Sequence, residues 1–368
     1  MRLLPDQDER DLAAMCRSLL AAQKLDGGHV PPKLWDDLAR AGLLGLAIGE
    51  QYGGSGGTLS DLGIFCLEAG RALCPDVIHS TLHAALAIDW LGGPGARAAW
   101  LPRLTRGTSR ATTALWNPRD ASILGSPLRA AADAAGRWRL SGMADFVAAA
   151  DQADLIVVAA ETDSATGVFV IDLTTTGVAV EALPMAGSHR AGTVTFDEVP
   201  VDDDNGVLGV GICRTALRRV ANAAVALLSL DLVGVGEAVV QRTVDYTTMR
   251  EQFGRPIASF QAAQHLVADM RIALSAARLS AQSAVFWIGR GRTGTRETAI
   301  ARMHAAAVRQ ITLDAHQLHG GMGYVVDTDL HLFSERARVL STWGGGADVA
   351  AKWLEGEMNR EGDDGQSD

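Results

Sequence analysis

The spacing of apolar residues changes character twice along this chain, and that order limits the folds it can adopt. Before about residue 110, apolar residues such as Leu12, Cys16 and Leu19 recur three and four positions apart, which is typical of helices that bury one face. Over 110–211, short runs rich in Val, Ile and Thr alternate with turn residues, which predicts strands in a small antiparallel barrel or sandwich. The helical spacing then returns, and residues 299–318 are predicted to form one long helix.

We therefore predict three domains, namely an N-terminal helical domain at 1–109, a middle β domain at 110–211 and a C-terminal helical bundle at 212–358. With 368 residues and 48% hydrophobic composition, the chain is long enough to bury cores of this kind. Residues 359–368 are polar and rich in glycine, so we expect them to form a disordered tail.

The formal net charge of −10 argues against two classes of partner. An acidic surface repels the phosphates of nucleic acids and the anionic head groups of lipids, so we expect neither nucleic acid nor membrane as a partner. The most apolar stretch, 221–236, contains Asn222 and Asp231 and is predicted to be too short and too polar to span a bilayer. Asp6 and Asp8 stand where a secretory signal would be basic, so we expect a soluble, cytoplasmic protein.

The four cysteines form no CxxC pair, which argues against a redox motif or a zinc site. We expect Cys16, Cys66, Cys74 and Cys213 to be buried free thiols in a reducing compartment. We expect no metal site.

The segment 246–261 is the most specific motif in the sequence. One helix is predicted to end at Phe253-Gly254, and another is predicted to begin after Pro256. Arg250 carries a permanently charged fork that suits a pyrophosphate, and Phe253 offers a flat face on which a ring can stack. The residues alone leave open a plain helix–turn–helix corner with a surface arginine.

A second motif, 317–324, has Gln317 on the last turn of a predicted helix, followed by three glycines. Glycines such as Gly320 and Gly321 let a backbone approach a ligand closely. The residues alone leave open an ordinary glycine-rich helix end. The motif is not a dinucleotide fingerprint, because no strand is predicted before it.

These two motifs, with Glu-Gln-Tyr-Gly-Gly at 50–54 and Arg-Ala-Gly-Thr-Val-Thr-Phe-Asp-Glu-Val-Pro at 190–200, resemble the acyl-CoA dehydrogenase family. The resemblance implies an α+β fold with an N-terminal helical domain, a middle antiparallel β-barrel domain and a C-terminal four-helix bundle. It implies that FAD and acyl-CoA bind, and that a Glu removes the α proton while the β hydrogen leaves as hydride to the flavin. It also implies dimers or dimers of dimers, with each FAD lying across a subunit interface.

The resemblance also implies which residues contact FAD. Phe146 is the residue implied to stack on the flavin of the same chain. The residues implied to reach the FAD of a neighbouring subunit are Arg250, Gln252, Phe253, Gln317 and Gly321. Phe260, Gln261 and Gly320 are implied to be further cofactor-binding residues.

The sequence departs from the family at both positions that usually hold the catalytic Glu. Trp-Gly-Gly-Gly at 343–346 stands where the family has Tyr-Glu-Gly-Thr, which puts Gly344 at the base position. Some members carry the base on the helix that enters the bundle, and counting back from Arg250 puts that position at Ala224. Neither residue can accept a proton, so we expect no catalytic residue in this chain.

The β domain departs from the family as well. Where the family has Gly-x-Lys-x-Trp-Ile-Thr, this chain has Phe146 in place of the Trp that packs on the flavin. Ala148 replaces the Thr that bonds to the flavin and offers no hydroxyl. Trp116-Asn117-Pro118 stands for the family's Thr-Glu-Pro.

The residues that would hold this chain's own flavin and substrate are thus altered, whereas those implied to reach a neighbour's FAD are kept. Random loss of functional residues is not expected to alter one of these sets and keep the other. Heteromeric family members from actinobacterial breakdown of steroid side chains show the same division, in which one subunit keeps the Glu and the other lacks it. We therefore expect the Glu-less subunit of an α2β2 heterotetramer.

The expected partner is a homologous acyl-CoA dehydrogenase subunit that carries the Glu, and the expected substrate is an acyl-CoA. An electron-transfer flavoprotein is one candidate electron acceptor. Two alternatives remain open. The first is a self-sufficient FAD enzyme that uses another base, for which Asp145 and Asp231 are candidates although both are expected at solvent or in turns. The second is a non-catalytic scaffold that has lost FAD.

Overall fold

The N-terminal domain is helical. The computed structural model describes residues 4–22, 24–134, 136–201 and 205–364. A capping box starts the first helix, because the Asp6 side chain accepts the Glu9 amide and the Glu9 side chain accepts the Asp6 amide. The helices are α1 (Gln7–Ala21), α2 (Pro32–Arg40), α3 (Leu59–Arg71), α4 (Asp76–Leu91) and α5 (Pro94–Thr105). Nearly every residue of α4 is buried, so all of its faces contact other elements.

The middle domain is built on one eight-stranded sheet with a separate two-stranded hairpin. Its strands are β1 (Ala111–Ala114), β2 (Trp116–Asn117), β3 (Asp120–Leu124), β4 (Leu128–Ala132), β5 (Trp138–Ala148), β6 (Leu155–Glu161), β7 (Thr166–Asp172), β8 (Val178–Leu183), β9 (Ala191–Pro200) and β10 (Val207–Val210). The order across the sheet is β10, β7, β6, β4, β5, β9, β8. The pairings are antiparallel, as predicted, except that β1 and β4 run parallel to β6. The hairpin pairs β2 with β3.

The C-terminal domain is a helical bundle, as predicted. Its elements are α6 (Arg214–Met249), β11 (Glu251–Gln252), β12 (Arg255–Pro256), α7 (Gln261–Gly289), α8 (Thr295–Ala305), α9 (Val308–His319), α10 (Leu330–Leu340) and α11 (Ala347–Asp364). The short strands β11 and β12 pair with each other and form the turn between α6 and α7. The bundle and the N-terminal helices share one apolar core, in which α3 packs on α6.

Two predictions about helices are wrong. The single helix over 299–318 is two helices, because a turn at Ala306 and Ala307 separates α8 from α9. Neither Gly nor Pro marks that turn, so the apolar spacing runs straight through it. The prediction of a disordered tail is also wrong up to Asp364, because α11 continues to that residue. Residues 365–368 lie outside the described residues. Extending a helix that is already formed needs no new nucleation, so polar residues can follow an apolar start.

α6 runs through the molecule and connects the two parts of the candidate site. Its 36 residues span about 54 Å at 1.5 Å per residue. Within the described part of the chain, it is the one helix long and apolar enough to cross a membrane, but 89% of its apolar window is buried inside the fold. Packing against neighbouring helices therefore accounts for its composition.

Candidate functional site

A cleft lies where α4, β5, α6 and the loop after α10 meet. The apolar part of its lining comes from β1, the β2–β3 hairpin, β5, α6 and that loop. The polar part comes mainly from α4. The residues that line this cleft are Asp76, His79, Ser80, His83, Thr113, Ala114, Trp116, Pro118, Asp145, Phe146, Val147, Ala148, Val225, Leu228, Leu340, Trp343 and Gly344.

Gly344 is fixed in the wall of the cleft by its own backbone. Its amide donates to the Pro118 carbonyl at 2.6 Å, and its carbonyl accepts from the Ala121 amide at 2.9 Å. Its φ of 74° lies in the left-handed region that favours glycine. A Cβ at this position would lie 3.1 Å from Val225 Cγ2. Local backbone and packing therefore suit glycine here, and any larger residue would be strained.

Ala224 is buried in α6 but is not among the residues that line the cleft. The next residue, Val225, faces the cleft instead, and Leu228 follows it one turn later on the same helix face. Both side chains are aliphatic, so this face of α6 supplies no group that could accept a proton. The count back from Arg250 thus ends one residue beyond Val225, which is the residue that faces the cleft.

The residues implied to seat a flavin ring contact other residues of the same chain. Phe146 has a φ of 52°, which is uncommon for a bulky residue. The Arg119 guanidinium lies 5.4 Å from the centroid of the Phe146 ring, at a distance typical of a cation–π contact. The Thr112 hydroxyl donates to the Ala148 carbonyl at 2.6 Å, so it does not replace the hydroxyl that Ala148 lacks. These residues fit a flavin ring poorly.

The eight cofactor-binding residues that the resemblance implies in the C-terminal domain lie on the outside of the bundle, and we call them the bundle surface. All except the half-buried Phe260 are exposed, and Phe253 is 94% exposed. The set consists of Arg250, Gln252, Phe253, Phe260, Gln261, Gln317, Gly320 and Gly321. None of the eight lines the cleft described above.

A ring stack brings the two motifs of the bundle surface together. Tyr246, near the end of α6, stacks on His319, at the end of α9, with ring centroids 4.4 Å apart. Phe253 meets Phe260 edge to face at 6.3 Å. Segments that are about 70 positions apart in sequence therefore form one surface, as the resemblance implies.

The bundle surface is open to a ligand. At Gly320 and Gly321, no atom of the described residues lies within 4 Å of where a Cβ would be, so the backbone can be approached from outside. Phe253 holds an exposed ring on a backbone with a φ of 56°. Strain at an exposed aromatic residue suggests a role other than stability. The open backbone and the exposed Arg250 fit the phosphates and adenosine of a dinucleotide.

The cleft and the bundle surface are far apart within one chain. Val225 of α6 and Arg250, which caps the end of α6, are 25 positions apart, which is about 37 Å at 1.5 Å per residue. The chain therefore presents two separate surfaces, each with part of what a large cofactor would need.

Asp231 is not at solvent or in a turn, so that prediction is wrong. It is fully buried on α6, where its two oxygens accept from Arg336 Nε at 2.9 Å and Arg336 Nη2 at 2.7 Å. Burial alone would raise the pKa of Asp231, but Arg336 and the adjacent His79 hold that pKa well below its ordinary value. A carboxylate held in this way is a structural anion and does not serve as a base.

Asp145 behaves as predicted in part. It is exposed, but it lies on strand β5 and not in a turn. Its Oδ1 accepts from the Thr193 hydroxyl at 2.8 Å and from the Phe146 amide at 3.0 Å. It is the exposed carboxylate of the cleft lining.

The residues that sequence analysis missed lie on α4. Asp76, His79, Ser80 and His83 follow one another at helical spacing and all face the cleft. The rings of His79 and His83 are 6.3 Å apart. The four-residue spacing of these histidines was a signal that could have directed attention to this face. No group of ligands that could hold a metal ion is present among the described residues.

All four cysteines are free thiols, as predicted, but one of them is not buried. Cys16, Cys66 and Cys74 are buried and unpaired, and burial raises the pKa of the Cys16 thiol to about 12. Cys213 is exposed, because it caps α6, where its Sγ accepts from the Ala216 amide at 3.4 Å.

Comparison with known proteins gives two family matches that together cover most of the chain. Residues 8–108 match the profile described as "Acyl-CoA dehydrogenase, N-terminal domain". Residues 214–355 match "Acyl-CoA dehydrogenase, C-terminal domain". The β-domain, which carries the altered flavin positions, lies between these two ranges.

Similar proteins include dehydrogenases, a reductase and a complex. "Acyl-CoA dehydrogenase IpdE2" of Mycobacterium tuberculosis is 31% identical, over 86% of this chain and 83% of that protein. "Acryloyl-CoA reductase (NADH)" of Anaerotignum propionicum is 28% identical, over 89% of this chain and 87% of that protein. The solved ChsE4–ChsE5 complex of Mycobacterium tuberculosis matches with a TM-score of 0.88 at 26% identity, over 98% of this chain and 99% of that chain.

Proposed function

We propose that this chain, which belongs to the acyl-CoA dehydrogenase family, is a Glu-less subunit that completes the FAD site of a catalytic partner. The assembly would be an α2β2 heterotetramer that carries out FAD-dependent α,β-dehydrogenation of an acyl-CoA thioester. FAD, when bound, supplies the hydride acceptor for that reaction. The partner supplies the Glu and the seat for the flavin ring, and this chain supplies the bundle surface.

The observation that carries the proposal is the contrast between the cleft and the bundle surface. In the cleft, Gly344 stands at the base position, and the ring of Phe146 is contacted by Arg119. On the bundle surface, Arg250 and Phe253 are exposed. The bundle surface can hold the phosphates and adenosine of a cofactor, but the cleft of the same chain fits the flavin ring poorly. The bundle surface can therefore complete a cofactor site only when it faces the cleft of another subunit.

The bundle-surface residues then have defined tasks. Arg250 would pair with the pyrophosphate through charge-assisted hydrogen bonds. Phe253 would pack on a flat ring of the cofactor, and the open backbone at Gly320 and Gly321 would admit it closely. These tasks are binding and orientation, so this chain contributes to affinity and geometry and transfers no proton itself.

The similarity to a protein solved as the ChsE4–ChsE5 complex supports a heteromeric assembly. The similarity to an acryloyl-CoA reductase is consistent with an acyl-CoA substrate. The name of that protein refers to reduction, which is the reverse of dehydrogenation. A steroid-derived or other bulky acyl group, and an electron-transfer flavoprotein as acceptor, remain predictions from the family resemblance.

Asp145 favours a second candidate function, namely a self-sufficient FAD enzyme with a non-standard base. Its carboxylate lines the cleft and is exposed, so a ligand that enters the cleft can contact it. One of its oxygens already accepts two hydrogen bonds within the chain, from the Thr193 hydroxyl and the Phe146 amide. We therefore rank this candidate second.

Co-expression with a homologue that keeps the Glu separates these functions. We expect the lone chain not to bleach flavin with an acyl-CoA, because loss of a general base costs about 10²–10⁴-fold in rate. We expect the complex to turn over, and replacing the partner's Glu by Gln to abolish turnover. Rapid bleaching by the lone chain, lost in Asp145→Asn, would establish the second candidate. A complex without flavin or activity would mean that the chain is a scaffold.

A further inference from the structure

A second pocket, with a volume of about 500 Å³, lies where α1, the end of α3, α6 and α10 meet. Its volume falls in the range of small-molecule sites, which is about 300–1,000 Å³. It shares no lining residue with the cleft, and no residue of the bundle surface lines it. The proposed function therefore gives this pocket no role.

Part of the pocket lining is apolar and continuous with the core that the N-terminal helices share with the bundle. Its large apolar side chains are all buried or half-buried. They are Leu20, Leu25, Leu73, Leu332 and Phe333. A ligand with an aliphatic body would exchange water for apolar contacts on this wall, which is favourable.

The charged part of the lining holds four cations and two carboxylates, in a chain whose net charge is −10. Both carboxylates already have a cation. Arg17 Nη2 lies 2.7 Å from Glu68 Oε1, and Lys24 Nζ lies 3.0 Å from Asp329 Oδ2. Two arginines of the lining therefore remain after each carboxylate has been paired once.

Arg71 is the first of these arginines, and it lies among other cations. Its Nη2 donates to Glu237, but Glu237 also accepts from Arg278 Nη1 at 2.8 Å. Its Nε lies 3.6 Å from Glu68 and has no hydrogen-bond partner among the described residues. Burial lowers the pKa of Arg71, and the charges of Arg17 and Arg278 lower it further, although Glu68 opposes them. The positive charge around Arg71 is thus incompletely balanced.

Arg242 is the second, and it is exposed where it lines the pocket. Its guanidinium lies 4.9 Å from the centroid of the buried Phe333 ring, at a distance typical of a cation–π contact. No carboxylate of the described residues forms an ion pair with it. A guanidinium that packs on a ring through its face keeps its N–H groups, which lie at its edge, available to an anion.

We propose that this pocket binds a small amphipathic anion, whose carboxylate or phosphate head pairs with Arg242 and whose aliphatic body lies on the apolar wall. A guanidinium forms charge-assisted hydrogen bonds with either head group, often two at once. The unbalanced charge of Arg71 adds attraction for the same head. The proposal is independent of the proposed function, because the pocket shares no residue with the cleft or the bundle surface.

Titration calorimetry of the purified full chain tests the ligand class, with octanoate, octyl phosphate, 1-octanol and acetate as probes. We expect both amphipathic anions to bind about tenfold more tightly than 1-octanol, because only they form charge-assisted hydrogen bonds. We also expect both to bind at least about tenfold more tightly than acetate, which lacks the apolar body. The tighter of the two anions identifies the preferred head group. Binding of octanoate no tighter than that of 1-octanol or acetate would overturn the proposal.

A pair of arginine variants tests the position of the head group. Arg242→Gln should remove the preference for octanoate over 1-octanol. Arg290→Gln is the matched control, because Arg290 is also exposed and lies 4.5 Å from the centroid of a ring, that of Phe286, but outside the pocket. Both residues are exposed, so both variants should melt close to the parent chain. A preference that survives in Arg242→Gln, or is lost equally in Arg290→Gln, would contradict the proposal.

A pair of leucine variants tests the position of the apolar body. Leu332→Ala should weaken octanoate and 1-octanol alike, because it removes part of the wall. Leu228→Ala, the same change in the cleft, should leave both affinities unchanged. The opposite result would place the ligand in the cleft and overturn the proposal. Because these titrations use the lone chain without FAD, their failure would leave the heteromer proposal untouched.

Discussion

The cleft and the bundle surface of this chain differ in how their residues are engaged. In the cleft, Gly344 is bonded through both backbone groups, and Phe146 is contacted by Arg119. On the bundle surface, Arg250 and Phe253 point to solvent, and the backbone at Gly320 is open. The cleft residues are thus held by contacts within the chain, whereas the bundle-surface residues are free to contact another molecule.

This difference teaches that two surfaces of one chain can change independently when they lie at different ends of one helix. Val225 of α6 faces the cleft and Arg250 ends the same helix about 37 Å away. Substitutions in the cleft need not disturb the bundle surface. The following predictions test that independence, in order of decreasing effect.

The largest expected effect concerns Gly344→Glu, which puts a carboxylate at the base position. We expect the lone chain to gain no acyl-CoA-dependent flavin reduction, because a carboxylate alone does not provide a seat for the flavin ring. The new side chain would be strained at a φ of 74° and would meet Val225, in a cleft that seats a flavin ring poorly. Stopped-flow absorbance measures the rate, and Gly344→Ala, which adds the same Cβ, isolates the carboxylate. A rate near that of the complex would mean that the cleft is a complete site that lacks one residue.

The second prediction concerns the ion pair between the two regions. Asp231→Ala leaves the buried Arg336 charge without its bidentate partner, so we expect a loss of about 3–5 kcal/mol in the free energy of unfolding. Chemical denaturation followed by circular dichroism measures it. Asp145→Ala removes an exposed carboxylate and serves as the control, with an expected change of about 0–1 kcal/mol. Equal losses in the two variants would show that the buried ion pair contributes no more to stability than the exposed carboxylate does.

The same ion pair gives a pH dependence with a defined sign. The pKa of Asp231 is lower in the folded chain than its ordinary value of 3.8, so its ionised form stabilises the fold. That contribution is fully present above the unfolded pKa and is lost as the pH falls from about 4 toward the lower folded pKa. We expect the stability of the parent chain to fall over this acidic window more steeply than that of Asp231→Asn. Parallel curves would assign the acid sensitivity to other groups.

The third prediction concerns the bundle surface. Under the proposed function, Arg250 pairs with the FAD pyrophosphate, so we expect Arg250→Ala to weaken FAD retention in the assembled complex by about 1.5–3 kcal/mol. Dialysis followed by flavin absorbance measures retention. Arg290→Ala is the matched control, because Arg290 is also exposed on the bundle but lies outside the bundle surface. Unchanged retention in Arg250→Ala would count against the assignment.

The smallest expected effect is a gain in stability. Phe253 is 94% exposed and has a φ of 56°, so Phe253→Gly should relieve backbone strain and stabilise the lone chain by about 0.5–1 kcal/mol. The same change should weaken FAD retention in the complex, because it removes the exposed ring. Thermal melts of the lone chain and flavin retention of the complex are the two measurements. A loss in both would indicate that the ring has a structural role in the chain itself.

Sequence could predict the parts of the site that are contiguous. Arg250 and Phe253 belong to one short motif that is specific enough to identify the bundle surface, and Gly344 could be assigned as the missing base by alignment to a motif. The three domains followed from a change of apolar period, which depends on local spacing alone.

Long-range pairings could not be predicted from the sequence. Asp231 looked like a solvent or turn residue because its partner, Arg336, lies 105 positions away, and a carboxylate in an apolar helix gives no sign of which cation it meets. His83 was missed for the same reason, since its unpaired nitrogen is defined by what surrounds it in the fold. The turn at Ala306 was missed because no Gly or Pro marks it.

The central claim is that the two regions of this chain serve two different cofactor sites, one of them completed by a partner. The most direct test counts FAD by absorbance against protein mass, with the oligomer sized by light scattering. We expect an α2β2 complex with about two FAD for every four chains, because only the sites that combine this chain's bundle surface with the partner's cleft are complete. We expect the lone chain to purify largely colourless. One FAD per chain in a homo-oligomer of this protein alone would contradict the account.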